Sequence, residues 1–427
     1  MTAPSRTFVT EPAIVCVRFD ACEPAATPMT TTQQKLSARA TPRAANALVP
    51  VGMFFGVATV LFPLMERFAY WPMSPAYKGV TQSNFAGPHW LEAWTRYDAG
   101  WYRYIAENGY YYEGDRAQSS VPFFPAYPLV MRGLHNLFGG DLVTWGIPIT
   151  FLCGLLSAVL VHRWCVRRFG RKSAAIATIL LCVWPYAFYL YGAVYADAMF
   201  LAFVLLAFTF VDAGHPLMAG LAGAIATATR PVGLAVMLGL AAVVWEQHRE
   251  RGVGVTRPSR NWWVLVSAGG IGAYATYLWV TFGNPAAFAV AEGAPGWNQK
   301  SRPNTWLKFE YFTRVFQFRR DGLLYPISLT AQALLVVLLI VVAVKFRAKI
   351  GIGYTVYTVS VLAIPLIASK DFQGLGRYSL SAFPAFGLLG DQLAHRVRVQ
   401  PRIAILVVSA VFLGILASAY GRGCYVS

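Results

Sequence analysis

The chain has 427 residues, 56% of them hydrophobic and only 13% charged, with a mean hydropathy of +0.48. That is more apolar material than one core can bury, which excludes a water-soluble globule of ordinary composition. The net charge of +17 does not indicate a nucleic-acid surface, because Lys and Arg fall in short clusters between apolar blocks, as the positive-inside rule requires of a membrane protein.

Residues 1–45 are polar and carry Arg6, Arg18, Lys35, Arg39 and Arg43. Their apolar runs are too short for a signal peptide, so they read as a disordered, basic cytoplasmic tail. Met29 precedes a polar, basic lead-in and is a second candidate start. Residues 46–427 read as one transmembrane domain. The first span is expected over 47–64 and leads outward, into a polar, aromatic-rich outer loop over 66–141. Residues 142–161 return the chain to the basic cluster at 163–172.

Further spans are expected near 173–192, 198–211, 217–229, 231–245, 262–282, 326–344, 350–368, 378–393 and 403–420, with a second outer loop over 283–325. The blocks 173–196, 261–291, 322–344 and 350–369 contain no charged side chain, and lipid gives a backbone no partner but its own helix. The three runs between 198 and 245 are shorter than the roughly 20 residues of a full crossing. Basic clusters at 249–260, 345–349 and 396–402 join the one at 163–172 on the cytoplasmic side. The expectation is an all-α polytopic membrane protein of about 11 spans, N-terminus inside and C-terminus outside. No repeat relates its halves. Six scattered cysteines, Cys16, Cys22, Cys153, Cys165, Cys182 and Cys424, form no CxxC and imply neither a zinc site nor a disulfide framework.

The first outer loop holds the densest chemistry. It contains RYDAGWYRYIAENGY over 96–110 and FFPAYP over 123–128. Tyr97, Trp101 and Ile105 recur at helical spacing, so the residues after Asp98 are expected to form a short amphipathic helix in the interface, with Asp98 as its N-cap. One reading of Asp98 is that cap alone. The other is a working carboxylate at the membrane surface, walled by aromatic rings such as Trp101 and Tyr102 that stack on sugars, and by Arg96 and Arg103. Asp197 interrupts a long apolar stretch, where an ionisable residue is costly and calls for a function or an arginine partner. Arg230 and Arg377 stand at the outer ends of expected spans, where an arginine either snorkels to headgroups or serves an anion.

These residues carry a resemblance. RYDAGWYRYIAENGY with FFPAYP is similar to the signature of the PIG-V type mannosyltransferases of the GT-C superfamily, whose eukaryotic member is the second mannosyltransferase of glycosylphosphatidylinositol synthesis. YGAVYADAMF (191–200), TATRPVGL (227–234) and GLGRYSLSAFPAF (374–386) follow in the family's order, so the resemblance runs from about residue 94 onward. The chain departs from the family at Ala196-Asp197, where a Glu after Ser or Thr is usual. The Ala-, Gly- and Arg-rich composition fits a bacterial member in the plasma membrane.

The resemblance implies a GT-C-like fold and an inverting transfer of mannose from a polyprenyl- or dolichyl-phosphate carrier to a glycolipid or other glycan acceptor on the outer face. Asp98 matches the catalytic position and takes the acceptor's proton. Arg230 and Arg377 meet the leaving phosphate. Arg96, Trp101, Tyr102 and Asp197 complete the substrate-binding set. Trp297 and Arg302, with Lys300, lie in a Gly- and Pro-flanked stretch of the second outer loop that reads as a lid over the Asp98 region. The partners expected are membrane lipid, the lipid-phosphate sugar and its acceptor, with no nucleic acid. No cofactor is expected, and no metal, since a donor with one phosphate needs no cation to hold a diphosphate. Two alternatives stand: an enzyme of the same superfamily using another sugar, and a transporter or lipid flippase.

Overall fold

The computed structural model describes residues 45–69, 85, 87–252, 260–299, 302–317 and 324–426. The expected cytoplasmic tail, apart from its last residue, lies outside them, as does Lys300. Every regular element among the described residues is a helix. Among the described residues, six helices are long and apolar enough to cross a membrane, namely Leu48–Arg67, Val143–Phe169, Pro231–Glu250, Arg260–Phe282, Leu324–Lys345 and Val399–Gly421. Pro216–Thr227 and Ile352–Ala368 are shorter apolar helices. The count of about 11 rests on segments that length and composition alone do not qualify.

In chain order the elements that matter here are α1 (Ala45–Ala69), α2 (Ala99–Asn108), α3 (Ala126–Phe138), α4 (Gly146–Phe169), α5 (Arg171–Cys182), α6 (Asp197–Asp212), α7 (Pro216–Thr227) and α8 (Leu234–Glu250). They continue with α9 (Gly269–Phe282), α10 (Phe309–Phe316), α11 (Leu324–Lys345), α12 (Ile352–Ala368), α13 (Leu375–Ser379), α14 (Phe383–His395) and α15 (Val399–Gly421). α6 is the central helix. Most of its side chains are buried on every face, which is why its sequence shows almost no amphipathic pattern.

Two expected spans are corrected. The block 173–192 is not one helix: α5 stops at Cys182, and the chain turns through Trp184 and Pro185 before a single helical turn at Phe188–Tyr191. Pro185 has no N–H to continue the ladder and pushes Trp184 out of helical geometry, a break that hydropathy does not register. The turn is buried, and Trp184 Nε1 donates to Ser379 Oγ at 2.8 Å and Tyr191 Oη to the Cys182 carbonyl at 3.1 Å. Gly154 of α4 lets this segment close in, since a Cβ there would stand 1.9 Å from the Leu190 carbonyl oxygen. The expected span at 378–393 begins instead at Phe383, with α13 a separate turn before it.

Ion pairs distinguish the two ends of the bundle. At one, Arg168 donates to the Ile350 carbonyl at 3.0 Å and lies 3.4 Å from Asp212, Lys349 pairs with Asp391 at 2.6 Å, and Glu246 accepts the N–H groups of Ile352 and Gly353 at the start of α12. This end gathers the basic clusters at 163–172 and 345–349. Asp212 and Asp197 are the two ends of α6, about 22 Å apart at 1.5 Å per residue. The second carboxylate therefore stands at the opposite end, and the site is built around it.

Candidate active site

Asp98 enters the site from the turn before α2. Tyr97 has φ +54°, a left-handed conformation unfavourable to a tyrosine. It is held by its hydroxyl, which donates to the Gly423 carbonyl, and by its ring against Tyr425 at 4.9 Å. That twist turns the Asp98 side chain away from the helix it precedes. Asp98 holds helical φ and ψ and its carboxylate makes no capping bond, which corrects the expected N-cap role. Oδ2 instead accepts from Arg377 Nη1 at 2.9 Å, and the Asp98 N–H donates to Tyr195 Oη at 3.2 Å.

Asp197, 3% exposed at the start of α6, accepts from Arg230 Nη1, and Arg377 Nε lies 3.8 Å from its other oxygen. Arg377, on α13, thus bridges the two carboxylates. Neither arginine snorkels. Arg230 stacks its guanidinium on the Tyr378 ring at 4.3 Å, and Arg377 lies over Tyr195 at 5.0 Å. Two acids and two guanidinium groups make a cluster of no net formal charge. Each guanidinium has five N–H donors, more than its carboxylate partners take.

Beside this cluster stands an aromatic wall. Trp101 stacks on Phe123 with centroids 5.4 Å apart and planes 14° apart, and Trp297 of the 283–325 segment meets both, at 5.5 and 6.0 Å. The two loops also touch at Gly296, where a Cβ would lie 2.6 Å from Gln118 Nε2, and at Asn284, whose amide donates to Tyr112 Oη at 3.2 Å. Tyr102 is buried between Phe123 and Tyr127. Burial, then the Asp98 charge, pushes its phenol well above the usual range, so it stays a neutral donor.

Asp98, Asp197, Arg230 and Arg377 are therefore brought together and Tyr102 borders them, while Trp101 and Trp297 pack with Phe123, which in turn meets Tyr102. Arg96 is not part of the cluster: it is buried, donating to the Gly421 carbonyl at 3.3 Å and lying 3.3 Å from Glu92. It ties the segment before α2 to the end of α15. Arg302 is exposed, and its carbonyl accepts the first N–H groups of the turn Pro303–Trp306. Arg103 pairs with Glu107 along α2 at 2.7 Å. Sequence reasoning passed over Tyr195 and Tyr378, although each lies within two residues of a charge it had singled out. Among the described residues, no three His, Cys, Asp or Glu side chains converge as metal ligands do.

No family model matches the chain. It is 31% identical over 150 residues to GPI alpha-1,6-mannosyltransferase 2 of Cricetulus griseus, and equally to that of Mus musculus, a stretch covering 33% of this chain and 29% of each relative. The chain thus matches less than a third of the length of these curated relatives. Among solved structures, the apo oligosaccharyltransferase of Archaeoglobus fulgidus aligns at TM-score 0.44 and 14% identity, over 87% of this chain and 56% of that one. ArnT from Cupriavidus metallidurans bound to undecaprenyl phosphate aligns at TM-score 0.44 and 17% identity, over 88% and 75%.

Proposed function

We propose that this chain is an inverting glycosyltransferase that moves mannose from a polyprenyl- or dolichyl-phosphate carrier to a lipid-linked or other glycan acceptor on the extracytoplasmic face. The observation that carries the reading is the bridge made by Arg377 between Asp98 and Asp197, with Arg230 on the far side. Attack by a hydroxyl on an anomeric carbon needs a carboxylate to receive the proton and a fixed positive charge for the departing phosphate. Asp98 is the base. Its free oxygen takes the acceptor's proton as the hydroxyl attacks the sugar from the face opposite the phosphate. The guanidinium donors of Arg377 and Arg230 bind the phosphate oxygens as the C–O bond breaks and charge builds on them. Asp197 is no second base; it neutralises and orients Arg230, which would otherwise be a buried, uncompensated charge. Trp101 and Phe123 offer a flat apolar face to the sugar ring, and Trp297 closes the second outer loop against them.

The choice of mannose rests on the local similarity to the rodent mannosyltransferases and on the motifs of the first loop. The outer location rests on the basic clusters gathered at the other end of the bundle. Two arginines suffice for one phosphate, so metal independence is part of the proposal.

The test is transfer by purified protein in liposomes from a series of synthetic polyprenyl-phosphate sugars, with and without EDTA. Mannose is expected to be preferred at least about tenfold, since a site that hydrogen-bonds sugar hydroxyls rejects analogues that misplace them. EDTA is expected to leave the rate unchanged. Preference for another sugar overturns the donor, and movement of lipid-phosphate sugar across the bilayer without transfer overturns the enzyme.

A further inference from the structure

The second outer loop makes a contact that the proposed chemistry does not use. Lys308, only 8% exposed, adopts a left-handed conformation (φ +58°) before α10. Its ammonium donates to the carbonyl of Ile367, at 3.1 Å, in the last turn of α12, where the helix dipole favours a cation, and to that of Ser369 just past the helix. It also lies 5.3 Å from the centre of the Phe372 ring, whose residue is itself left-handed (φ +70°). Between these two, Asp371 is fully buried. One of its oxygens accepts from the Gln373 N–H at 3.3 Å, and the other lies 3.2 Å from Arg314 Nε. Arg314 reaches back to Glu310 at 3.0 Å, and Tyr311 packs on Phe372 at 4.9 Å. One face of α10 is thus fastened to residues 367–373.

The other face of α10 is apolar and uncovered: Phe309, Phe312 and Phe316 are exposed, with Trp306 and Leu307 just before them. α10 has no fully buried residue, and a short, strongly amphipathic helix of this kind lies in a bilayer interface with its rings among the acyl chains. Beyond Phe372 the chain passes Gly374 (φ +87°) and the Gly376 N–H, held by Gln332 Oε1 at 2.9 Å, and reaches Arg377.

We propose that Lys308, Arg314 and Asp371 are positioning residues that clamp the interfacial helix α10 to the 367–373 segment, so that seating α10 on the membrane sets Arg377 against Asp98 and Asp197. The proposal rests on the reading of Arg377 as the phosphate-binding arginine. Two left-handed non-glycine residues face each other across the clamp, a conformation that persists only where surrounding contacts over-determine it. Releasing Lys308 removes the acceptor pairing at the end of α12 and the cation on Phe372 together, and residues 369–377 lose their anchor.

The test compares Lys308→Met, Lys308→Arg and the wild type in liposomes, by hydrogen exchange across residues 369–380 and by donor kinetics. Lys308→Met is expected to speed exchange at the Arg377 and Tyr378 amides at least about tenfold and to raise the donor KM about tenfold with kcat within about threefold. Lys308→Arg restores a large part of both. Phe312→Ser with Phe316→Ser, which leaves the ion pairs intact and unseats α10, is expected to reproduce the exchange change in liposomes but not in detergent. Exchange and KM unchanged in a folded Lys308→Met protein overturn the clamp, as does acceleration confined to α10. A wild type inactive with every lipid-phosphate sugar overturns the proposed function instead, and the exchange measurement still decides the clamp.

Discussion

Arg377 donates to Asp98 at 2.9 Å across 279 residues of sequence, joining the turn before α2 to the turn before α14. The carboxylate that would take a proton is thus already engaged by the cation that would take a phosphate, and an arriving donor phosphate competes with Asp98 for the same guanidinium. Asp98→Asn removes both the base and the competing anion. Transfer is expected to fall by roughly 10²- to 10⁴-fold, the usual weight of a general base, while binding of the lipid phosphate holds or tightens. Initial rates and a binding titration on the same preparation check this. No helix cap is lost, but the amide no longer neutralises the largely buried Arg377, so a modest fall in melting temperature is expected and rates are compared on folded protein. Activity within a few fold of wild type would remove Asp98 from the mechanism.

The fork of Arg377 faces two carboxylates from two different atoms, Nη1 toward Asp98 and Nε toward Asp197. Lysine keeps the charge but is a single point. Arg377→Ala is expected to cost about 10²- to 10³-fold in transfer, the range found when one donor to a developing anion is deleted. Arg377→Lys should recover only part of it. Complete rescue by lysine, measured as kcat/KM for the donor, would show that charge alone is needed at this position.

How much of this was readable in advance differs by residue. Asp197 stands out because an ionisable group in apolar sequence is costly and therefore rare, Arg230 and Arg377 because they sit at expected span ends inside segments that resemble the family, and Asp98 because of the motif around it. Asp197 calls for a function or an arginine partner, and Arg230 is such a partner. Arg96 looked equivalent to its neighbours, yet the left-handed step at Tyr97 sends it toward Gly421 and Asp98 toward Arg377. One backbone torsion decides this, and no periodicity records it. The break after Cys182 was hidden because hydropathy counts Pro185 and the tyrosines around it as ordinary members of an uncharged block. The role of Lys308 was invisible because its partners are backbone carbonyls, which carry no sequence signal.

The pair Asp197–Arg230 is buried on both sides, with 3% and 7% of the side chains exposed. Removing one partner from such a pair leaves the other charge unpaired in a poorly solvated place, at a cost of about 3–5 kcal/mol. Asp197→Ala is therefore expected to lower the melting temperature in detergent markedly, and the double change Asp197→Leu with Arg230→Met to restore much of it while leaving the enzyme inactive. Equal destabilisation by the single and double variants would mean that packing, not charge, is what Asp197 supplies.

Trp297 meets Trp101 at 5.5 Å, and Gly296 abuts Gln118, so the segment after α9 rests on the one between α1 and α4. If that contact is the closed position of a lid, it must open to admit a lipid-linked sugar and close to exclude water during transfer. Cysteines at Gln118 and Asn298, in a background lacking the six native cysteines, are expected to join with a short bifunctional reagent. A donor analogue should change the yield, because the occupied site shifts the balance between open and closed. The joined protein should lose transfer at least about tenfold and regain it when a cleavable linker is cut, since a lid that cannot open admits no donor. Trp297→Ala is the companion variant. It removes the ring that meets Trp101 and Phe123, and it should raise hydrolysis of the donor relative to transfer, because water then reaches the anomeric carbon that the acceptor should attack. A protein that turns over at the wild-type rate while joined at these positions has a fixed loop there, and the lid has no part in its cycle.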